Sequence, residues 1–185
     1  MGVVSSNLTT MIYGKKKLQM LMIGRGFAGK STILHQLIHG EFIPINTATV
    51  GIDPEDLDYK DVSFVIFEIG GQLRDMQLLL KHCFNTTPAL IMVVDSSDRD
   101  RIEDAREELH RYMKEIEVIG KKANILVYAN KQDLPNAMSV AEITDKLDLQ
   151  LLDRHYWHVQ ASSCVTGEGL HDGLDWLYRQ LTTKD

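Results

Sequence analysis

Eight residues, Gly24-Arg25-Gly26-Phe27-Ala28-Gly29-Lys30-Ser31, have the types and spacing needed to hold a phosphate. They fit the pattern G-x-x-x-x-G-K-[ST]. Glycine at the first and sixth positions lets the backbone wrap close to an anion where a Cβ would obstruct it. Successive N–H groups then point inward at a β-phosphate, helped by the N-terminus of the following helix. Lys30 brings a compact positive charge to the β- and γ-phosphates, and the Ser31 hydroxyl is placed to ligate Mg²⁺. The candidate phosphate-binding set is Gly24, Gly26, Phe27, Ala28, Gly29, Lys30, Ser31 and Thr32. A plain glycine turn between a strand and a helix would require neither the lysine nor the serine.

A second set selects a base. Asn130-Lys131-Gln132-Asp133 is a form of N-K-x-D. The Asp133 carboxylate can accept hydrogen bonds from both the ring N–H and the exocyclic amine of guanine. Adenine offers no such donor pair on that edge, and a buried acceptor left unpaired rejects the wrong base. Asn130 can brace the loop, and the Lys131 stem can lie against the purine face. Downstream, Ser162-Ser163-Cys164 offers a backbone N–H for the guanine carbonyl. A third set, Glu68-Ile69-Gly70-Gly71-Gln72, pairs an acidic strand end with glycines. That combination can hold Mg²⁺ through water and sense a γ-phosphate. The Gly71 N–H is placed to contact that phosphate and Gln72 to orient the attacking water. On its own this set is only a turn; it gains meaning after a phosphate loop.

The elements that must position these residues read as alternating strands and helices. Leu18–Ile23 is an apolar run suited to a buried strand, and Thr32–Ile38 has apolar residues at helical spacing with Gly40 as a stop. Glu41–Gly51 is polar and broken and reads as a loop. Strands are predicted over 56–60 and 62–67, with Lys60-Asp61 as a tight turn that lacks the usual glycine. Ala89–Asp95, Asn124–Ala129 and Tyr156–Gln160 are further strand candidates. Helical stripes are marked by Ile102, Ala105, Leu109 and Tyr112, by Val140, Ile143 and Leu147, and by Leu170, Leu174, Leu177 and Leu181.

The chain has 185 residues, which suggests one α/β domain with a sizeable core. A formal net charge of −6 argues against a general nucleic-acid binder. The 2 cysteines, Cys83 and Cys164, show no metal or redox spacing, which fits a reducing compartment. The 7 histidines share no ligand spacing, no apolar run reaches transmembrane length, and no secretory signal is evident. Residues 1–17 stand apart from a main unit over 18–185. Met1-Gly2-Val3-Val4-Ser5-Ser6 matches M-G-x-x-x-[ST], which nominates Gly2 for N-myristoylation. Val4, Leu8, Met11 and Ile12 would share one helical face, and Lys15-Lys16-Lys17 follows. One acyl chain binds membranes only marginally, so an apolar face and a basic cluster would supply the second signal.

Together these stretches resemble the ADP-ribosylation factor (Arf) family of small GTPases. The similarity is strongest in 93–96, 105–109, 129–138, 141–147 and 169–177. The resemblance implies the P-loop small-GTPase fold: a central, mostly parallel six- or seven-stranded sheet with helices on both faces, two switch loops and a hairpin between them. It implies GTP/GDP and Mg²⁺ as ligands, and an exchange factor, a GTPase-activating protein and effector or coat proteins as partners. It also implies a cytoplasmic protein that reversibly joins a Golgi or endomembrane surface in membrane traffic, through a myristoylated N-terminal helix released in the GTP state. By that match Thr49 ligates Mg²⁺ with Ser31, Glu68 reaches the ion through water, and Gln72 acts with Lys30 in catalysis. Ser163-Cys164-Val165 takes the last guanine-contacting position.

Three departures alter these expectations. Gly26 replaces the usual Asp, Phe27 is bulkier than the usual alanine, and Glu68 stands for Asp. The added methylene of Glu68 is expected to disturb the octahedral Mg²⁺ geometry. Ile52, Phe67 and Cys83 occupy three aromatic effector-facing positions of the family, which points to a different effector set. A guanine-nucleotide-binding module with little hydrolysis is the alternative reading, and an ATP-dependent phosphotransferase a further rival that Asn130 and Asp133 oppose.

Overall fold

The computed structural model describes residues 15–45, 51–70, 82 and 89–183. Among the described residues there are six strands: β1 (Lys16–Ile23), β2 (Gly51–Tyr59), β3 (Val62–Gly70), β4 (Ala89–Asp95), β5 (Asn124–Asn130) and β6 (Tyr156–Ala161). Four helices accompany them: α1 (Lys30–His39), α2 (Ile102–Val118), α3 (Val140–Lys146) and α4 (Leu170–Thr182), with a short 3₁₀ turn at Leu149–Leu151. The sheet order is β2-β3-β1-β4-β5-β6. Only β2 and β3 are antiparallel; the other pairings are parallel.

The continuous apolar runs follow from burial on both faces. Successive residues of a strand point to opposite sides. In β4, Leu90, Met92 and Val94 join one core with Leu21, Ile23 and the α2 residues Ile102, Leu109 and Ile116. Ala89, Ile91 and Val93 join a second core with Met20, Met22 and residues Ile33 and Leu34 of α1 and Leu174 and Leu177 of α4. A strand with helices over both faces has no polar side to show, as expected for parallel sheets.

Several elements extend beyond the sequence reading. β2 begins at Gly51, the last residue of the stretch read as a loop, and runs through Pro54 ahead of the strand predicted at 56–60. β2 is an edge strand with β3 as its one sheet neighbour, and such strands tolerate proline. α2 continues past Tyr112 to Val118, because Met113 and Ile116 extend its buried stripe. α3 begins with a capping box that the sequence displays as Ser139-x-x-Glu142: the Ser139 hydroxyl accepts from the Glu142 N–H, and the Glu142 carboxylate accepts from the Ser139 N–H.

The β2–β3 turn without glycine is held from outside. Lys60 has φ 53, a left-handed conformation that costs a non-glycine residue energy. Its ammonium bonds the Asp175 carboxylate on α4 and lies 4.6 Å from the Tyr178 ring centre. The Tyr59 hydroxyl also donates to Asp175 at 2.8 Å, and Tyr178 donates to Asp61 at 2.6 Å. Tyr59, Lys60 and Asp61 thus pin the turn to Asp175 and Tyr178 of the last helix.

α4 packs closely on β5 at Gly173. A Cβ at Gly173 would lie 2.6 Å from the ring of Tyr128, whose hydroxyl donates to the Leu170 carbonyl at 2.6 Å. Gly173→Ala is expected to cost about 1–3 kcal/mol by overpacking, read as a fall in melting temperature. An unchanged melting temperature would show that α4 can slide off Tyr128 at no cost.

Candidate nucleotide-binding site

In a parallel sheet every strand delivers its last residue to the same edge, where ligands of such folds bind. Here β1 delivers the Gly24–Ser31 loop, β3 delivers Glu68, β4 delivers Asp95, β5 delivers Asn130–Asp133, and β6 delivers Ser162–Val165. The three sequence motifs therefore converge because the strands are parallel and in register: Asp95 lies opposite Asn130, and Glu68 lies opposite Met22.

The phosphate loop is drawn tightly around its backbone. A Cβ on Gly24, at φ 139, would lie 2.2 Å from the Val93 carbonyl oxygen. One on Gly29, at φ 103, would lie 2.4 Å from the Asn130 amide nitrogen. Both glycines are thus required by packing as well as by conformation. Gly29 is also the N-cap of α1, where it has no side chain to cap the helix, and the first turn carries no acidic residue. Orphan N–H donors at such an end suit an anion.

Lys30 is buried, and its ammonium donates to the carbonyls of Gly24 at 2.9 Å and Arg25 at 3.4 Å. Burial lowers its pKa, while the carboxylates of Glu68 and Glu108 oppose that shift. A bound phosphate would add a counter-charge and so be favoured by the same burial. Ala28 is buried, and Thr32 lies buried in the first turn. Phe27 sits at φ 66 and is 64% exposed, so the aromatic ring lies at the surface and is not packed into the loop.

Ser31 donates its hydroxyl to the Glu68 carboxylate at 2.7 Å, and Glu68 is only 4% exposed. A hydroxyl and a carboxylate brought together at a phosphate loop form the hard oxygen donor set that Mg²⁺ takes. The extra methylene of Glu68 brings its carboxylate onto the serine itself. Thr49, Gly71 and Gln72, and likewise Gly2 and Cys83, lie outside the described residues. Phe67 is described: it packs, partly buried, against the core on the α2 side.

The base-selecting loop is braced by Asn130, which is fully buried. Its amide nitrogen donates to the Ala28 carbonyl at 2.9 Å, and its amide oxygen accepts from the Cys164 N–H at 3.0 Å. One side chain therefore ties together the phosphate loop, the N-K-x-D loop and the loop after β6. Asp133 is exposed and accepts from the Ser163 hydroxyl at 2.5 Å. Ser163 Oγ in turn accepts from the N–H groups of Val165 and Thr166, both at 3.2 Å. These long, shared bonds are the ones a guanine carbonyl can share. The Cys164 N–H, a sequence candidate for that contact, is instead committed to Asn130. Burial raises the Cys164 thiol pKa.

Lys131, at φ 66, places its ammonium 2.6 Å from the Asp95 carboxylate. Asp95 is itself fixed by the Ser97 N–H at 3.0 Å and hydroxyl at 2.6 Å. Gln132 donates to Ser96 Oγ and to the Met138 carbonyl, both at 3.0 Å. Asp95 and Ser96 were not singled out in the sequence. The available signal was position: Asp95, like Glu68, is an acidic strand end at the ligand edge.

With this geometry in view, the comparisons decide the family. A model of the ADP-ribosylation factor family matches residues 4–181. The chain belongs to this family. Among solved structures it is similar to the Arl6 (BBS3) small GTPase from Trypanosoma brucei, determined with the bound nucleotide analogue GppNp. The two are 33% identical, the match covers 89% of this chain and 97% of that one, and the TM-score is 0.74. As an Arf-family small GTPase the chain is a guanine-nucleotide-binding switch.

The Asn130 clamp makes a direct prediction. Asn130→Ala strands the buried Ala28 carbonyl and Cys164 N–H together, at a cost of about 2–4 kcal/mol. The melting temperature should fall with or without added nucleotide. Asp133→Ala, at an exposed position, should leave the nucleotide-free melting temperature nearly unchanged while weakening GDP binding.

Proposed function

We propose that this Arf-family GTPase binds GTP or GDP with Mg²⁺, hydrolyses GTP slowly, and in its GTP form recruits effectors at a membrane surface. The observation that carries the nucleotide part is the three-loop clamp at Asn130, which joins a phosphate cradle to a guanine-selecting loop. The Arl6 structure, which holds a nucleotide analogue at a similar fold, supports the same reading.

The residues would divide the work as follows. Gly24, Gly26, Phe27, Ala28, Gly29, Lys30, Ser31 and Thr32 wrap the phosphates, with Lys30 on the β- and γ-phosphates. Asn130, Lys131 and Asp133 hold the guanine, helped by Ser163, Cys164 and Val165. Ser31 and Thr49 would ligate Mg²⁺, with Glu68 beside Ser31. When bound, Mg²⁺ neutralises charge on the phosphate oxygens. Gln72 would orient the water that attacks the γ-phosphate, and Gly71 would contact that phosphate through its N–H. Catalysis of this kind is positioning and electrostatics, so an activating protein can add much of the rate.

The membrane part rests on the Gly2 acylation pattern and the family. Lys15 pairs with Asp58 and Lys17 with Asp56, both at 3.1 Å. Such exposed pairs are each worth less than about 1 kcal/mol, so an anionic lipid surface can compete for both lysines. We place the site of action at the Golgi or another endomembrane, with an exchange factor, an activating protein and effector or coat proteins as partners. Ile52, Phe67 and Cys83, at positions where the family carries larger aromatics, favour an effector set of its own. The direct Ser31–Glu68 bond favours a second reading, a module that binds guanine nucleotide but barely hydrolyses it.

Lys30→Ala should abolish GTP and GDP binding, and excess ATP should not displace labelled GDP from the unaltered chain. Single-turnover hydrolysis with and without Gln72→Leu separates the two readings: a slower variant supports the GTPase switch, and equal, negligible rates support the module. Unchanged GTP affinity in Lys30→Ala would contradict the site itself.

A further inference from the structure

Arg25 is the second residue of the phosphate loop, and nothing above gives it a role. Its guanidinium lies 3.2 Å from the Asp104 carboxylate on α2, and the two side chains are 45% and 50% exposed. A cleft of about 430 Å³ opens beside the pair, bounded by Gly24, Gly26, Glu108 and Arg111 among others. The next residue, Gly26, carries no side chain, and a Cβ there would meet no described atom within 4 Å. A long cation is therefore paired with water-exposed Asp104 at the edge of that cleft, close enough to Glu108 to draw its pKa down, and next to a residue that carries no side chain.

We propose that Arg25 is an arginine finger supplied in cis, which leaves Asp104 and crosses Gly26 onto the phosphoryl group being transferred. The proposal rests on the nucleotide site argued above and adds to it a catalytic residue. An exposed ion pair contributes little, because water competes for both partners. A guanidinium forked onto phosphate oxygens makes charge-assisted bonds, which are stronger. A triphosphate therefore outcompetes Asp104 for the same side chain. An acidic side chain at position 26 would stand in the path and capture the guanidinium; glycine does neither.

The chemistry is hydrolysis without a covalent intermediate on the protein. The water oxygen bonds to the γ-phosphorus, and the bond from that phosphorus to the β–γ bridging oxygen breaks. Its electron pair stays on the β-phosphate, and the water's proton ends on the inorganic phosphate released. Arg25 stays protonated throughout and donates hydrogen bonds to the oxygens where charge collects.

The test uses the full chain loaded with GTP and Mg²⁺ in single-turnover hydrolysis, alongside GDP affinity and assembly of a GDP–aluminium fluoride complex, which mimics the transferring phosphoryl group. Arg25→Ala should slow hydrolysis by about a hundredfold or more, the scale for losing such a donor. GDP affinity should be unchanged, and the aluminium fluoride complex should form with the unaltered chain and not with the variant. Arg25→Lys should not restore the rate, since an ammonium lacks the fork. Arg25→Gln repeats the test if the alanine variant does not fold. Equal rates in the unaltered and Arg25 variants would overturn the proposal, as would a loss of GDP affinity that accounts for the lost rate. If the unaltered chain bound no guanine nucleotide, both this role and the nucleotide site would fall; equal rates with intact GDP binding would remove Arg25 alone.

Discussion

The site depends on one buried amide. Asn130 ends β5 with no exposed surface and spends both ends of its side chain on other loops, one on the Ala28 carbonyl and one on the Cys164 N–H. Gly29 has to be glycine partly because Asn130 occupies the space a Cβ would take. The cradle, the base selector and the loop after β6 are thus not three adjacent pieces but one bonded unit. Buried polar groups make such units rigid, because breaking one bond leaves its partner without water to replace it.

Around that clamp the charges are arranged to want a ligand. Lys30 is buried against carbonyls of its own loop, and burial lowers its pKa while Glu68 and Glu108 resist. Glu108 suffers the reverse: burial raises its pKa, while Arg25, Lys30 and Arg111 pull it down. The ionised ammonium of Lys30 is held in the interior at some cost, and a phosphate beside it relieves that cost. Phe27, Asp133 and Arg25 are exposed, whereas Asn130 of the clamp is fully buried.

Much of this was legible in the sequence because it is local. The phosphate loop is eight consecutive residues, the base selector is four, and the strands advertise themselves as apolar runs because helices cover both faces of the sheet. What escaped is long-range. The partner of Lys131 is Asp95, 36 positions earlier, and no spacing rule connects them. The Lys60 turn dispenses with glycine because α4, over a hundred positions on, supplies Asp175 and Tyr178. β2 runs through Pro54 because it lies at the sheet edge, a property of strand order and not of composition. The Ser31–Glu68 bond is long-range too, joining residues 37 positions apart.

The most direct test of the central claim is the nucleotide that the purified, unaltered chain retains, released by denaturation and identified by chromatography and mass. A three-loop unit with a guanine-selecting carboxylate predicts GDP or GTP close to one per chain, lost more rapidly when Mg²⁺ is chelated. An empty chain that stays empty in excess guanine nucleotide and Mg²⁺, or one that carries adenine nucleotide instead, would contradict it.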